Sequence, residues 1–194
     1  MSEIWAIILA AGESKRMGFP KMLLPLRGMT IIEQVIGNVI NSQVGETVVV
    51  LGAERDEIQK VIKNWPVKHC NNEIYKEGML SSVKCGFRFL PHDFEAALIF
   101  PGDQPHVRPE ITDRVISAFR LSGKGIVVPV YGNKRGHPLL ISSRYREEVM
   151  LLDPGEGLRA LARNFSDDVL EVETGTTDIL KDIDDQEDYL IELK

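Results

Sequence analysis

Three groups of residues in this chain have types and spacings suited to chemistry on an anionic substrate. The first is Leu9-Ala10-Ala11-Gly12-Glu13-Ser14-Lys15-Arg16, followed closely by Lys21. Small residues at 10–12 let the main chain approach a ligand and leave amide N–H groups facing the turn, while Lys15, Arg16 and Lys21 neutralise phosphate charge. Neither a Walker A loop nor a dinucleotide fingerprint is present here. The second group is Asp103, set in Phe100-Pro101-Gly102-Asp103-Gln104-Pro105. Gly102 and the flanking prolines fix the main chain, so the carboxylate projects from the end of an apolar strand. Beside a basic loop it suits Mg²⁺, which takes one or two carboxylates with substrate phosphates and water; a turn or helix cap is the other reading of Asp103. The third group is Asp182-Ile183-Asp184. In an extended segment its two carboxylates share one face and Ile183 takes the other, giving a second metal carboxylate; the same run also reads as a solvated acidic face. Glu187 and Asp188 fit the first turn of a closing helix.

Gly78-Met79-Leu80-Ser81-Ser82-Val83-Lys84 reads as a glycine-led loop entering a helix. Ser81 and Ser82 can hydrogen-bond a base edge or sugar, or simply belong to a capped helix start. Gly136-His137-Pro138 precedes an apolar strand, where a lone histidine is more often structural. Lys134, Arg135 and Arg159 are further cations able to meet a phosphorylated ligand. His69, His92 and His106 have no ligand spacing, and Cys70 and Cys85 have neither metal nor disulfide-framework spacing, so both thiols read as reduced and partly buried.

The elements that must position these groups alternate. Ile4 to Leu9 is an apolar strand; Thr30-Ile31-Ile32-Glu33 is a capping box, and Ile31, Ile32, Val35, Ile36, Val39 and Ile40 recur at one-face helical spacing. Thr47 to Leu51 is an unbroken β-branched run of the kind buried on both faces of a parallel sheet. Helices follow at 54–65, 78–90 and 109–121, with strands at 67–70, 96–100 and 125–130. The pattern predicts an α/β fold, a Rossmann-like three-layer α/β/α sandwich with a mostly parallel sheet. Ligands of such sheets sit beyond the carboxyl ends of the strands, where the loops after Leu9 and Phe100 both fall. In the last third, 131–136 turns into a strand at 137–141, an antiparallel excursion. Ser142 or Ser143 is a candidate cap for a helix through 145–151, a helix follows at 157–165 and a strand at 169–172. Residues 1–194 read as a single domain, with 1–130 a core built round the basic phosphate loop and 131–194 an elaborated lobe carrying the second carboxylate.

Composition agrees. Of 194 residues, 43% are apolar and 27% charged, as in globular proteins, and the length suffices for a substantial core. A net charge of -6 disfavours nucleic acid and anionic membrane as partners, so an anionic ligand needs a local basic patch. Met1-Ser2-Glu3 lacks the basic start of a secretory signal, and the apolar run after it is far shorter than a membrane span; with the free cysteines this predicts a cytoplasmic protein.

The run Leu-Ala-Ala-Gly-x-Ser-x-Arg-Met-Gly-x-x-Lys, here Leu9 to Lys21, resembles the signature loop of the MobA-like nucleotidyltransferases, and within them most of all the molybdenum cofactor cytidylyltransferases. The later segments resemble the same family: Gly102-Asp103-Gln104-Pro105, Gly78 to Lys84, Gly136-His137-Pro138 and Asp182 to Asp188. The resemblance implies a nucleotide-diphospho-sugar transferase-like fold, with nucleotide bound by Leu9, Ala10, Ala11, Gly12, Arg16, Lys21, Gly78, Ser81, Ser82 and Asp103. It implies catalysis by Lys21, Arg16 and Asp103, Mg²⁺ on Asp103 and Asp184, and an acceptor side formed by Gly136, His137 and Pro138. Its reaction is transfer of CMP from CTP to the phosphate of molybdenum-loaded molybdopterin, with a molybdenum hydroxylase of the xanthine dehydrogenase type as a further partner. Ala11 favours CTP, because relatives that use GTP resemble Leu-Ala-Gly-Gly at this point. Two rivals stand beside it: a transferase acting on a sugar phosphate or methylerythritol phosphate, and a nucleotide-binding insertion chaperone for a molybdenum hydroxylase.

Overall fold

A computed structural model describes residues 3–193; Met1 and Ser2, part of the signal-peptide reading above, and Lys194 lie outside the described residues. The strands are β1 (Ile4–Ala10), β2 (Pro25–Leu26), β3 (Met29–Thr30), β4 (Glu46–Leu51), β5 (Lys68–Asn71), β6 (Ala96–Pro101), β7 (Ile126–Tyr131), β8 (Lys134–Arg135), β9 (Leu139–Ser142) and β10 (Val169–Glu173). The helices are α1 (Ile31–Ile40), α2 (Arg55–Ile62), α3 (Met79–Phe89), α4 (Pro109–Ser122), α5 (Arg146–Leu151), α6 (Leu158–Asn164) and α7 (Gln186–Glu192). One sheet runs β10-β7-β9-β6-β1-β4-β5, with β8 paired to β7, and β2 and β3 form a separate hairpin. All seven residues of β1 are buried, because the strand has a neighbour on each side and a layer of helices over each face.

Alternation along β1 divides the core into two layers. Ile4, Ala6, Ile8 and Ala10 pack with apolar residues of α1, α2 and α4; Trp5, Ile7 and Leu9 pack with α3, α5 and α6. This is the three-layer sandwich. The antiparallel strand from the last third is no appendage: β9 lies between β6 and β7, antiparallel to both, with Leu139, Leu140 and Ile141 buried. Strands from residues 1–130 and from 131–194 therefore share one sheet.

The Thr30 capping box forms as expected, the hydroxyl accepting from the Glu33 amide and the Glu33 carboxylate accepting from the Thr30 amide. Two local expectations differ. Neither Ser142 nor Ser143 caps a helix; residues 143–145 make a single 3-10 turn, and α5 begins only at Arg146 because Arg144 and Tyr145 are drawn to Asp168. The strand expected at 137–141 begins at Leu139, after a cis His137–Pro138 bond. Among the described residues no helix is long and apolar enough to cross a membrane.

Candidate active site

The loops after β1 and β6 meet over a cavity of about 310 Å³ at the carboxyl ends of the parallel strands. Each wall has a local cause. The loop after β1 is folded by Ser14, whose backbone takes a positive φ of 50, whose carbonyl accepts from the amides of Met17 and Gly18, and whose hydroxyl accepts from the Lys21 amide. Met17 is fully buried beside Leu26, Ile31 and Ile183, which pins the loop to the body. The turn after β6 is pressed against β1. The Gly102 amide donates to the Leu9 carbonyl, and a Cβ at 102 would meet that oxygen at 2.8 Å, so no larger residue fits there unchanged.

Ile183 accounts for the placement of Asp184. Its side chain is 1% exposed in the same apolar cluster, and its amide donates to the Asp103 carbonyl at 3.0 Å. Asp185 then caps α7, in a reciprocal box with Asp188, whose carboxylate also accepts from the Asp184 amide. The chain is thus held on both sides of Asp184, which faces the cavity while Asp182 is exposed to solvent.

Four charged side chains converge. Lys21 Nζ donates to Asp103 Oδ2 at 2.5 Å and to Asp184 Oδ1 at 3.0 Å, and Arg16 donates to Asp184 Oδ2 at 2.7 Å. Burial alone would lower the pKa of Lys21, but the charge of Asp103 and the hydrogen bonds to both carboxylates hold it above the ordinary lysine value. Burial acts to raise Asp184, yet the hydrogen bond from Lys21 and the charges of Lys21 and Arg16 hold it below the ordinary range. Asp182, although largely exposed, is held above the ordinary range by partial desolvation and by the neighbouring charge of Asp184. The site is therefore an ammonium and a guanidinium drawn onto two carboxylates, with Lys21 shared between both.

The other residues distribute unevenly. Leu9, Ala11, Gly12, Gly78 and Ser82 line the cavity, and Ala10 is buried in the strand end. Gly78 takes a positive φ of 100 at the start of α3. Ser81 points elsewhere: its hydroxyl donates to the Gly78 carbonyl, and the residue lines a separate small cavity. Gly136, His137 and Pro138 are not among the residues lining the main cavity; the Gly136 amide bonds Pro129 and the His137 amide bonds Ile179. His137 is partly buried, and burial holds its pKa below the usual value against the charge of Asp103. Arg135 pairs with Glu171 at the surface.

Two residues of the site carry no motif. Asn72 is buried, donates to Ser81 Oγ at 2.8 Å and to Ser82 Oγ at 3.0 Å, and accepts from the Ile74 amide, so it orients the serine that faces the cavity. Tyr75 lines both the main cavity and an adjoining polar one of about 240 Å³. The doubled Asn71-Asn72 is the one sequence signal for this wall.

A divalent cation can be tested against the donors present. Two carboxylates already converge on a single cation, Lys21 Nζ, and among the described residues no group of three or more metal-binding side chains occurs. That donor set is too sparse for an all-protein metal cage but fits Mg²⁺, which completes its shell with water and phosphate oxygens.

Several known proteins are similar to this chain. Residues 6–169 match the family model described as the MobA-like NTP transferase domain. The molybdenum cofactor cytidylyltransferase of Escherichia coli is 28% identical over 98% of this chain and 95% of its own length. A protein of Paenarthrobacter nicotinovorans named nicotine blue oxidoreductase is 30% identical, covering 82% of this chain and 81% of its own. A nucleotidyl transferase structure from Methanothermobacter thermautotroptrophicus superposes with a TM-score of 0.85 at 25% identity, covering 98% of this chain and 96% of that one.

Proposed function

This chain belongs to the MobA-like NTP transferase family, and from that premise we propose that it transfers the cytidylyl group of CTP to the phosphate of molybdenum-loaded molybdopterin, releasing pyrophosphate. The observation that carries the proposal is the convergence of Lys21 and Arg16 on Asp103 and Asp184 beside the cavity.

Arg16, with its side chain 70% exposed, meets the incoming triphosphate first and steers it electrostatically. Lys21, with its side chain only 12% exposed, is already ionised, and it passes from the carboxylates to the phosphate that becomes more negative as the bond to pyrophosphate breaks. Preorganised charge of this kind stabilises the transition state without reorganisation at the moment of reaction. Asp103 and Asp184 would hold Mg²⁺, which when bound offsets charge on the phosphate oxygens. Ser82, oriented by Asn72, and Tyr75 form the wall facing the nucleoside. The attacking phosphate monoester is anionic at neutral pH, so the site needs no general base, and catalysis reduces to positioning and electrostatics.

CTP as the nucleotide is supported by the 28% identical cytidylyltransferase and by Ala11. The test is pyrophosphate release with Mg²⁺ and molybdenum-loaded molybdopterin, comparing CTP with GTP. Release with CTP supports the assignment. Release only with a sugar phosphate or methylerythritol phosphate acceptor moves it to another transferase, and tight CTP binding with no release on any acceptor marks a carrier.

A further inference from the structure

Cys70 on β5 and Cys85 on α3, apart in sequence, bring their sulfurs within 3.7 Å of one another. Both are free thiols, both are partly exposed, and nucleotidyl transfer uses neither. Their surroundings are unequal. Cys85 Sγ also contacts the Asn71 carbonyl at 3.4 Å and precedes Arg88 by about one helical turn. The hydrogen bond from Cys70, with help from the charge of Arg88, brings the Cys85 thiol down to about 7, against burial and Glu73. The same hydrogen bond, together with burial, pushes Cys70 strongly upward. Of the two thiols Cys85 is therefore the one that ionises more readily, and the thiolate is the nucleophilic form.

We propose that Cys85 and Cys70 are an oxidisable dithiol, a modification site for hydroperoxides in which the Cys85 sulfur attacks and the Cys70 sulfur resolves. The Cys85 thiolate attacks one oxygen of hydrogen peroxide; the O–O bond breaks, hydroxide leaves and takes up a proton, and Cys85 becomes a sulfenic acid. Cys70 then attacks the Cys85 sulfur, its proton leaving with the sulfenic hydroxyl as water, and the disulfide forms. Two thiols lose two electrons in all, and one peroxide becomes two waters. The sulfurs must close from 3.7 Å to the roughly 2.0 Å of a disulfide bond. The new bond would tie β5, which leads to Asn72, to α3, which carries Ser82 about one turn before Cys85. The site is independent of which nucleotide the cavity takes.

The experiment treats the reduced full chain with hydrogen peroxide at neutral pH, blocks remaining thiols with N-ethylmaleimide and measures intact mass and peptide maps. The expected product has lost two hydrogens, takes up no maleimide, contains the linked Cys70 and Cys85 peptides and returns to the dithiol with dithiothreitol. In Cys70→Ala the reaction should stop at a Cys85 sulfenic acid captured by dimedone. In Cys85→Ala, Cys70 should react about tenfold more slowly or less. Two maleimide adducts on the peroxide-treated parent, or equal rates for the two single variants, would overturn the proposal. The parent protein supplies the deciding result even if a variant fails to fold.

Discussion

The sheet carries a cluster of opposite charges at each end, and the two behave differently. At the amino end of β7 and β10, Asp168 accepts from the Tyr145 hydroxyl at 2.6 Å, from the Gly125 amide at 3.0 Å and from the Arg144 guanidinium. At the carboxyl end of β1 and β6, one ammonium is divided between two carboxylates, with a cavity alongside. Each bond to Asp168 ends on a group fixed by a strand, a turn or a packed ring, and Tyr145 stacks near Phe165 at 4.7 Å. That cluster is complete. In the other, like charges are held together by cations that are themselves suited to phosphate, so an incoming anion and its counter-ion can exchange every partner. Similar residue types thus make a lock at one end and a site at the other.

The sharpest break of this comparison removes one carboxylate from each cluster. Asp103→Asn should lower pyrophosphate release about 10²- to 10³-fold in a coupled assay, the usual cost of losing one preorganised electrostatic group. Its melting temperature should change little, since Lys21 keeps Asp184. Comparable loss of activity in Asp168→Ala at a temperature where it is folded would refute the division of roles.

Asp168→Ala should instead destabilise by about 2 kcal/mol, because it strands charge-assisted donors in a side-chain site that is 26% exposed. For a chain of this size that is a fall of roughly 4–8 °C in melting temperature, read by calorimetry. The pH dependence has a definite sign. Burial would raise the Asp168 pKa, but the bonds from Tyr145, Arg144 and Gly125 hold it below the ordinary value of 3.8. A depressed carboxylate stabilises the fold above its unfolded pKa and loses that contribution as pH falls through the folded one. The melting-temperature gap between parent and Asp168→Asn should therefore stay constant between neutrality and about pH 5 and narrow below about pH 4.

The two ends also differ in what the sequence makes legible. Leu9 to Lys21 and Gly102-Asp103 can be read because an unbroken apolar strand that stops at small residues, with charge just beyond, marks a turn open to a ligand, and their partner strands β1 and β6 are neighbours. Asp184 is legible from its alternation with Ile183, but the irregular turn that aims it depends on Asp185 and Asp188 folding back. Asn72 leaves only the faint signal of the doubled Asn71-Asn72, and Tyr75 and the cysteine contact leave none, since each depends on how α3 lies beside β5. The same holds for β9, whose place between β6 and β7 is set by long-range pairing, and for Ser142 and Ser143, whose capping propensity loses to the pull of Asp168 on Arg144 and Tyr145.

Asn72→Ala gives a smaller effect that separates positioning from chemistry. Ser82 would keep its hydroxyl but lose the donor that orients it, so KM for CTP should rise about fivefold while kcat falls less than twofold, a loss of the order of one hydrogen bond. A change confined to kcat would place Asn72 with Lys21 and Asp103 instead.

An effect of similar size belongs to Ala11. Its residue lines the cavity, yet its methyl group lies against Gly52, where an added Cβ would meet the Ala11 Cβ at 2.7 Å and the Ala11 carbonyl at 2.5 Å. If this chain uses CTP as proposed, the methyl would influence the base by how closely the loops after β1 and β4 approach, rather than by a wide reach into the cavity. A single methyl in an apolar contact is worth about 1 kcal/mol, so Ala11→Gly should shift the ratio of kcat/KM for CTP over GTP toward GTP by roughly fivefold without inverting a larger preference. Gly52→Ala should impair both nucleotides together, because the added carbon pushes on the main chain of the phosphate loop itself. Loss of CTP use alone in Gly52→Ala would show that base choice, and not loop closure, is what this contact controls.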